Sequence, residues 1–250
     1  MPKPLDWSVD EHTAEDVHCT WGLRGLQGIL QHSDVIVVVD VLSFTTTVDV
    51  AVSRGAVPYP WRWRDESAQE HADSVGAVLA GPRGSDGYSL SPCSFLEAEE
   101  GTRVVLPSPN GSTLSKATGD VPTFAGCLRN ASAVARAAQA TGRRIGVVAA
   151  GELWPDPAHS LRPALEVWYG AGAVIAALEG SRSPEAAAAA ESWQHAVPDL
   201  RRRVLGCTSG RQLVDKGYTQ DVELAAEHDV SEVAPRLVDG AYRGGGRGVR

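Results

Sequence analysis

The stretch "VIVVVDVLSFTTTVDVAV" (residues 35–52) decides how this chain folds. Val35 to Val39 are five consecutive β-branched residues. A short apolar run without alternation predicts a strand buried on both faces. The run stops at Asp40; Ser43, Thr45, Thr46 and Thr47 follow, and a helical apolar pattern begins near Phe44. Strand, polar turn and helix together open an α/β unit. A carboxylate at the carboxyl end of a buried strand lies on the rim where open α/β sheets bind ligands. The hydroxyls behind it fall at a helix N-terminus, where backbone N–H groups and the helix dipole favour an anion. An acid beside an anion-binding turn is unfavourable unless a cation lies between them. Mg2+ bridging a carboxylate and a phosphate resolves that conflict. The same residues also suit plain structure, with the hydroxyls as helix caps and the aspartate bonding nearby amides.

The plan recurs along the chain. "VGAVLAG" (75–81), "TRVVLPSPNGS" (102–112), "VPTFAGCLRN" (121–130) and "RRIGVVAAGE" (143–152) each read as a strand entering a polar loop. Helices are expected over 44–56, with Gly55 at the end, in "ASAVARAAQATG" after Asn130, and over 165–180. Another is expected over 183–196, with Ser183 as its cap and Pro184 in its first turn. The expected fold is α/β, three layers α/β/α around a mostly parallel or mixed sheet. One domain should span 1–240, followed by a flexible tail over 241–250. "VPYPWRWRDESA" (57–68) alternates Trp61 and Trp63 with Arg62 and Arg64. On a strand this puts aromatics on one face, either as an edge strand or as a ligand or subunit contact, the latter making a homodimer.

Composition narrows the class. The chain has 250 residues, 43% hydrophobic and 22% charged, as in ordinary soluble globular proteins. A formal net charge of -8 speaks against a nucleic-acid partner, and Arg201, Arg202 and Arg203 read as a solvated helix face. No apolar run approaches the roughly 20 residues of a membrane span, and the polar, acidic N-terminus does not read as a secretory signal. Cys19, Cys93, Cys127 and Cys207 are far apart, without a CxxC pair. That is neither a zinc site nor a disulfide framework, and four free thiols suit a cytoplasmic protein. There is no P-loop, HExxH or GxSxG. Cys207 and Arg211 are too close in sequence for a cysteine-phosphatase loop. Leu42 stands where a haloacid-dehalogenase-type loop carries its second aspartate.

Several stretches occur in one order over residues 34–240. They are Asp40-Val41-Leu42-Ser43-Phe44-Thr45-Thr46-Thr47, Gly55-Ala56, Gly81-Pro82-Arg83-Gly84 with Ser91-Pro92, and Ser108-Pro109-Asn110-Gly111-Ser112. Asn130-Ala131, Ala149-Ala150-Gly151 with Glu166 and Ala171-Gly172, and Ser209-Gly210-Arg211 through Val230, Ser231, Val233 and Pro235 continue the order. Together they resemble the 2-phosphosulfolactate phosphatase (ComB) family. The resemblance implies a Mg2+-dependent hydrolase that removes phosphate from 2-phosphosulfolactate, a small anionic substrate, to give sulfolactate in coenzyme M biosynthesis. It also implies a three-layer fold. Ser43 replaces the arginine of the family's "DVLRA", Pro82 the glutamate of "GER", Ser108 and Pro109 the first threonines of "TTNGT", and Val167 the aspartate of "ED". These departures leave two alternatives open: a changed phosphoester substrate, or a non-catalytic anion-binding homologue.

Within that resemblance, Asp40, Arg83 and Glu166 are the expected catalytic residues. Arg83 can hold a phosphate or sulfonate bidentately. Asp40, Glu152 and Glu166 are expected to converge on Mg2+. Ser43, Thr45, Thr46, Asn110, Gly111, Ser112 and Asn130 are the expected substrate cradle. No nucleophilic side chain stands out, so water is the expected attacking group.

Overall fold

A computed structural model of the chain describes residues 14–244. The first half runs β1 (Val17–Trp21), α1 (Gly22–Ile29), β2 (Val35–Val39), α2 (Phe44–Ser53), β3 (Val57–Trp61), α3 (Glu66–Val75), β4 (Val78–Leu79), β5 (Arg103–Pro107), α4 (Gly111–Ala117) and β6 (Thr123–Gly126). It continues with α5 (Ala131–Thr141), β7 (Ile145–Ala149), β8 (Glu152–Leu153), β9 (Leu161–Arg162), α6 (Leu165–Ala176), α7 (Pro184–Ala196), α8 (Leu200–Gly206), α9 (Thr208–Asp215), α10 (Thr219–Ala225), β10 (Arg236–Val238) and β11 (Ala241–Arg243).

The principal sheet has the order β1-β7-β2-β6-β10-β11. β2 lies between two parallel neighbours, β7 and β6, and every one of its residues is buried. Its two faces pack against different helices. Val35, Val37 and Val39 join Val134 of α5, Val174 of α6 and Ala190 of α7. Ile36 and Val38 meet Leu26 and Ile29 of α1 and Leu114 of α4. Helices therefore cover both faces, which is why the strand carries no polar alternation. The outer pair β10 and β11 is antiparallel, so the sheet is mixed. A smaller parallel sheet has the order β3-β5-β4, and β8 and β9 form a separate antiparallel hairpin.

Several sequence expectations change in detail. The segment 75–81 is mostly not a strand: α3 runs to Val75, and Gly76 ends it in the left-handed region at φ 60°. Only Val78 and Leu79 then pair with β5, and Gly81 makes an isolated bridge with Ser89. The Trp/Arg alternation does not lie on one strand either, since β3 stops at Trp61. Asp65 then caps α3 by accepting from the Ala68 N–H at 3.2 Å, which pulls the chain out of extension. Trp61 instead stacks on His71 of α3, with ring centroids 4.3 Å apart. Glu152 is not the end of the fifth expected strand. β7 stops at Ala149, Gly151 turns the chain at φ 67°, and Glu152 begins the hairpin.

The C-terminal tail begins later than expected. Ala241 and Tyr242 are fully buried and belong to β11. The Tyr242 ring meets Phe44 edge-on at 6.0 Å, and its hydroxyl shares a 2.7 Å hydrogen bond with Ser115. Residues 245–250 of that tail lie outside the described residues. All four cysteines are free. Among the described residues, no helix is long and apolar enough to cross a membrane.

Candidate active site

Asp40 leaves the end of β2 and is only 2% exposed. Its Oδ2 accepts from the Gly111 N–H at 2.8 Å, at the start of α4, and from the Ser108 hydroxyl at 3.5 Å. Gly111 is required there, because a Cβ would stand 2.3 Å from the Phe44 ring and 2.8 Å from that Asp40 oxygen. The backbone can thus reach the carboxylate only without a side chain. Burial pushes the Asp40 pKa up to about 6, and the neighbouring Glu166 pushes the same way.

Glu152 faces Asp40 from the hairpin. Its Oε2 accepts from the Asn110 side-chain amide at 2.9 Å. Burial, and then the charges of Asp40 and Glu166, push its pKa up to about 8, while Arg162 opposes them. Arg162 is its register partner across the β8–β9 pair and donates to the Ser209 hydroxyl at 3.2 Å.

Glu166, on the first turn of α6, is 1% exposed. Its Oε2 accepts from the Cys207 thiol at 3.2 Å. Cys207 in turn caps α9, its sulfur accepting from the Gly210 N–H at 3.3 Å. The start of α9 is thereby tied to Glu166. The other Glu166 oxygen, Oε1, is buried without any hydrogen-bond partner. A buried carboxylate oxygen left bare is costly, and it marks a place for a donor or a cation.

Arg83 is a cation of the cavity lining. It pairs with Asp221 and donates to the Ser43 hydroxyl at 2.6 Å. Asp221 also takes the Ser91 hydroxyl and, at 3.4 Å, the Cys93 N–H. Asp221 therefore sets the direction of the Arg83 guanidinium.

These groups border a cavity of about 250 Å³. Asp40, Ser43, Arg83, Asn110 and Glu152 line it, joined by Ser108 and Pro109. Leu42 and Leu90 add apolar surface, and one face of α9 and its cap contributes Ser209, Gln212, Leu213 and Lys216. That i, i+3, i+4, i+7 spacing is the signature of a helix face, and it could have been read from "TSGRQLVDK". Asp221 gave no comparable local signal, since its partner Arg83 lies more than a hundred residues earlier.

Other expected cradle residues are engaged with the backbone instead. Thr45 and Thr46 are fully buried. The Thr45 Oγ1 accepts from the Asp40 N–H at 2.9 Å, and Thr46 donates to the Val41 carbonyl at 2.7 Å. They fasten the β2–α2 turn and so fix Asp40. Ser112 donates to the Leu106 carbonyl at 3.0 Å. Asn130 closes its own turn, accepting from the Cys127 N–H at 2.9 Å. Neither borders the cavity.

The three acids feel one another electrostatically but do not close into a ligand set. Among the described residues, no group of three or more His, Cys, Asp or Glu side chains is arranged to hold a metal ion. Glu152 is held by Asn110, Glu166 by Cys207 and Asp40 by Gly111, so each carboxylate has its own anchor.

Comparison with known proteins identifies the family. The family model described as 2-phosphosulpholactate phosphatase matches residues 26–240. A protein of Carboxydothermus hydrogenoformans named probable 2-phosphosulfolactate phosphatase is 31% identical over 209 residues, covering 80% of this chain and 84% of its own. One of Thermotoga petrophila with the same name is 28% identical, covering 82% of this chain and 90% of its own. A 2-phosphosulfolactate phosphatase of Methanothermobacter thermautotrophicus is 28% identical, covering 83% and 88%. The chain belongs to the 2-phosphosulfolactate phosphatase family, a family of phosphoric monoester hydrolases.

Proposed function

We propose that the protein is a Mg2+-dependent phosphatase that hydrolyses a small anionic phosphoester of the 2-phosphosulfolactate type, releasing phosphate and sulfolactate. The observation that carries this reading is that Asp40 and Glu152 line one small cavity, while Glu166, buried outside its lining, raises the pKa of both. Among the described residues, none of them has an ion-pair partner. Buried carboxylates without a compensating cation are expensive, and a functional cleft is the usual reason they persist.

The donor set suits Mg2+. This ion takes oxygen ligands and is commonly held by one or two carboxylates plus waters and substrate phosphate, not by a closed protein cage. Asp40 and Glu152, the two acids that line the cavity, would hold it. When bound, Mg2+ supplies charge neutralisation at the phosphoryl oxygens. Arg83, oriented by Asp221, offers guanidinium N–H groups to the same oxygens. Ser43, Ser108 and Asn110 add neutral hydrogen-bonding groups along the cavity. Positioning of this kind accounts for most catalysis in phosphoryl transfer. A thiol nucleophile fits poorly, because burial pushes Cys93 and Cys207 up to about 12. In this reading water would be the attacking group.

The lack of a closed acid cluster favours a second reading, a non-catalytic anion-binding homologue. One assay separates the two. Purified protein is incubated with 2-phosphosulfolactate, phospholactate and simple alkyl phosphates, with Mg2+ or with chelator, beside Asp40→Asn. Chelator-sensitive phosphate release that Asp40→Asn loses supports the phosphatase. Folded protein that releases no phosphate from any ester supports the binding protein.

A further inference from the structure

The cavity lining has chemically different parts. Asp40 and Glu152 make one part of the lining acidic, and Arg83 borders it too. Another part is the α9 face of Ser209, Gln212, Leu213 and Lys216. The cations around the site differ in how far they are already engaged. Arg83 is paired with Asp221 and bonded to Ser43. Arg162 lies across from Glu152, donates to Ser209 and stacks over Trp154 at 5.7 Å. Lys216 is an exposed residue of the lining that, among the described residues, has neither an ion pair nor a side-chain hydrogen bond. A cation at the end of α9 is favoured by the helix dipole. The dipole accounts for the charge but not for its place on the face that borders the cavity.

We infer that Lys216 binds the second acid group, a carboxylate or sulfonate, of a phosphoester whose phosphate lies against Arg83 and the acids, and so selects diacid substrates over simple alkyl phosphates. The inference rests on the phosphatase reading and extends it to substrate class. The cavity's size agrees, since about 250 Å³ is less than a drug-sized ligand needs and suits a compact phosphoester. Gln212, one turn before Lys216 on the same face, offers an amide to the same group. A lysine suits this role because its flexible stem brings a point charge to a group of either geometry.

The test compares wild type, Lys216→Ala and Lys216→Arg by the ratio of kcat/KM for 2-phosphosulfolactate to that for isopropyl phosphate. Lys216→Ala should lower this ratio about tenfold, the worth of a charge-assisted hydrogen bond. Lys216→Arg should stay close to wild type, and added salt should shrink the difference. A ratio within twofold of wild type in Lys216→Ala overturns the inference. If wild type hydrolyses neither ester, the phosphatase reading fails, and calorimetric binding of sulfolactate decides about the lysine separately. Binding weakened about tenfold by Lys216→Ala upholds its role; equal binding by both proteins, or none by either, overturns it.

Discussion

Two buried aspartates lie nine positions apart in one turn-and-helix unit, and they have opposite surroundings. Asp49, within α2, is fully buried and has a cation: Arg129 donates to its Oδ2 at 3.1 Å, and the Ser231 hydroxyl to its Oδ1 at 2.6 Å. Burial still pushes its pKa up, but Ser231 and Arg129 pull it back. Asp40, at the end of β2, is equally enclosed and meets a backbone N–H, a distant hydroxyl and two other acids. Asp49 fastens the segment that follows α10 onto α2. Asp40 is left wanting a cation. The contrast shows how to tell a structural carboxylate from a functional one: by the charge of its partners, not by its depth.

Neutralising each aspartate should break or sharpen that contrast. Asp40→Asn should cost about a thousandfold in phosphate release, the scale of losing one essential electrostatic group. The same change should raise the Tm of metal-free protein, because it removes an uncompensated buried charge. Asp49→Asn should do the reverse, lowering stability by about 3 kcal/mol because Arg129 loses its buried partner, while the protein that remains folded keeps its kcat. Chemical denaturation and initial rates on the two variants check both halves. Equal stability losses in the two would erase the distinction.

Asp221→Asn sits between these extremes. Arg83 would lose the carboxylate that directs it, so KM should rise about tenfold or more with a smaller fall in kcat. Steady-state kinetics measures the split.

The pH response carries a defined sign. Asp40 at about 6 and Glu152 at about 8 both lie above their ordinary values of 3.8 and 4.5. A raised carboxyl favours the folded state in its neutral form. That stability is fully present below about pH 4 and is lost as pH rises through about 6 for Asp40 and about 8 for Glu152. Metal-free protein should therefore lose Tm between about pH 4 and pH 8, and Mg2+ should restore most at the alkaline end. Differential scanning fluorimetry with and without chelator reads this, and a Tm that rises over that window would contradict the placement of the acids. Gly111→Ala acts on the same carboxylate by crowding alone. Its Cβ would press on Phe44 and the Asp40 oxygen, costing about 1–3 kcal/mol as overpacking does.

The central strand was legible because five β-branched residues in a row have few other homes. The helix after it, α5, and the Ser183 cap of α7 were legible for similarly local reasons. What failed to read locally depends on distant partners. "VGAVLAG" has strand composition, but its first residue completes α3 and Gly76 breaks the run. The threonines after β2 read as an anion cradle, but buried carbonyl and amide groups of the same turn claim them. Tyr242 looked like tail because nothing near it in sequence is apolar enough to form a core; its partners, Phe44 and Ser115, come from earlier parts of the chain. Asp40 could be chosen from sequence by its strand end, whereas Glu152 was chosen by an expected strand end that the structure replaces with a hairpin. The face spacing of α9 was legible as well, but not its place at the cavity, since the contact of Cys207 with Glu166 that ties the helix there joins distant parts of the chain.

That α9 face has a consequence for how the protein matures. Asp40 is made early in synthesis and α9 late, with most of the chain between them. Domains fold as units, and contacts this far apart in sequence form slowly. Without α9 in place, the cavity would lack Ser209, Gln212, Leu213 and Lys216, and Glu166 the Cys207 thiol that its Oε2 accepts from. A nascent chain would thus carry Asp40, Glu152 and Glu166 before it carries the helix that completes the cleft.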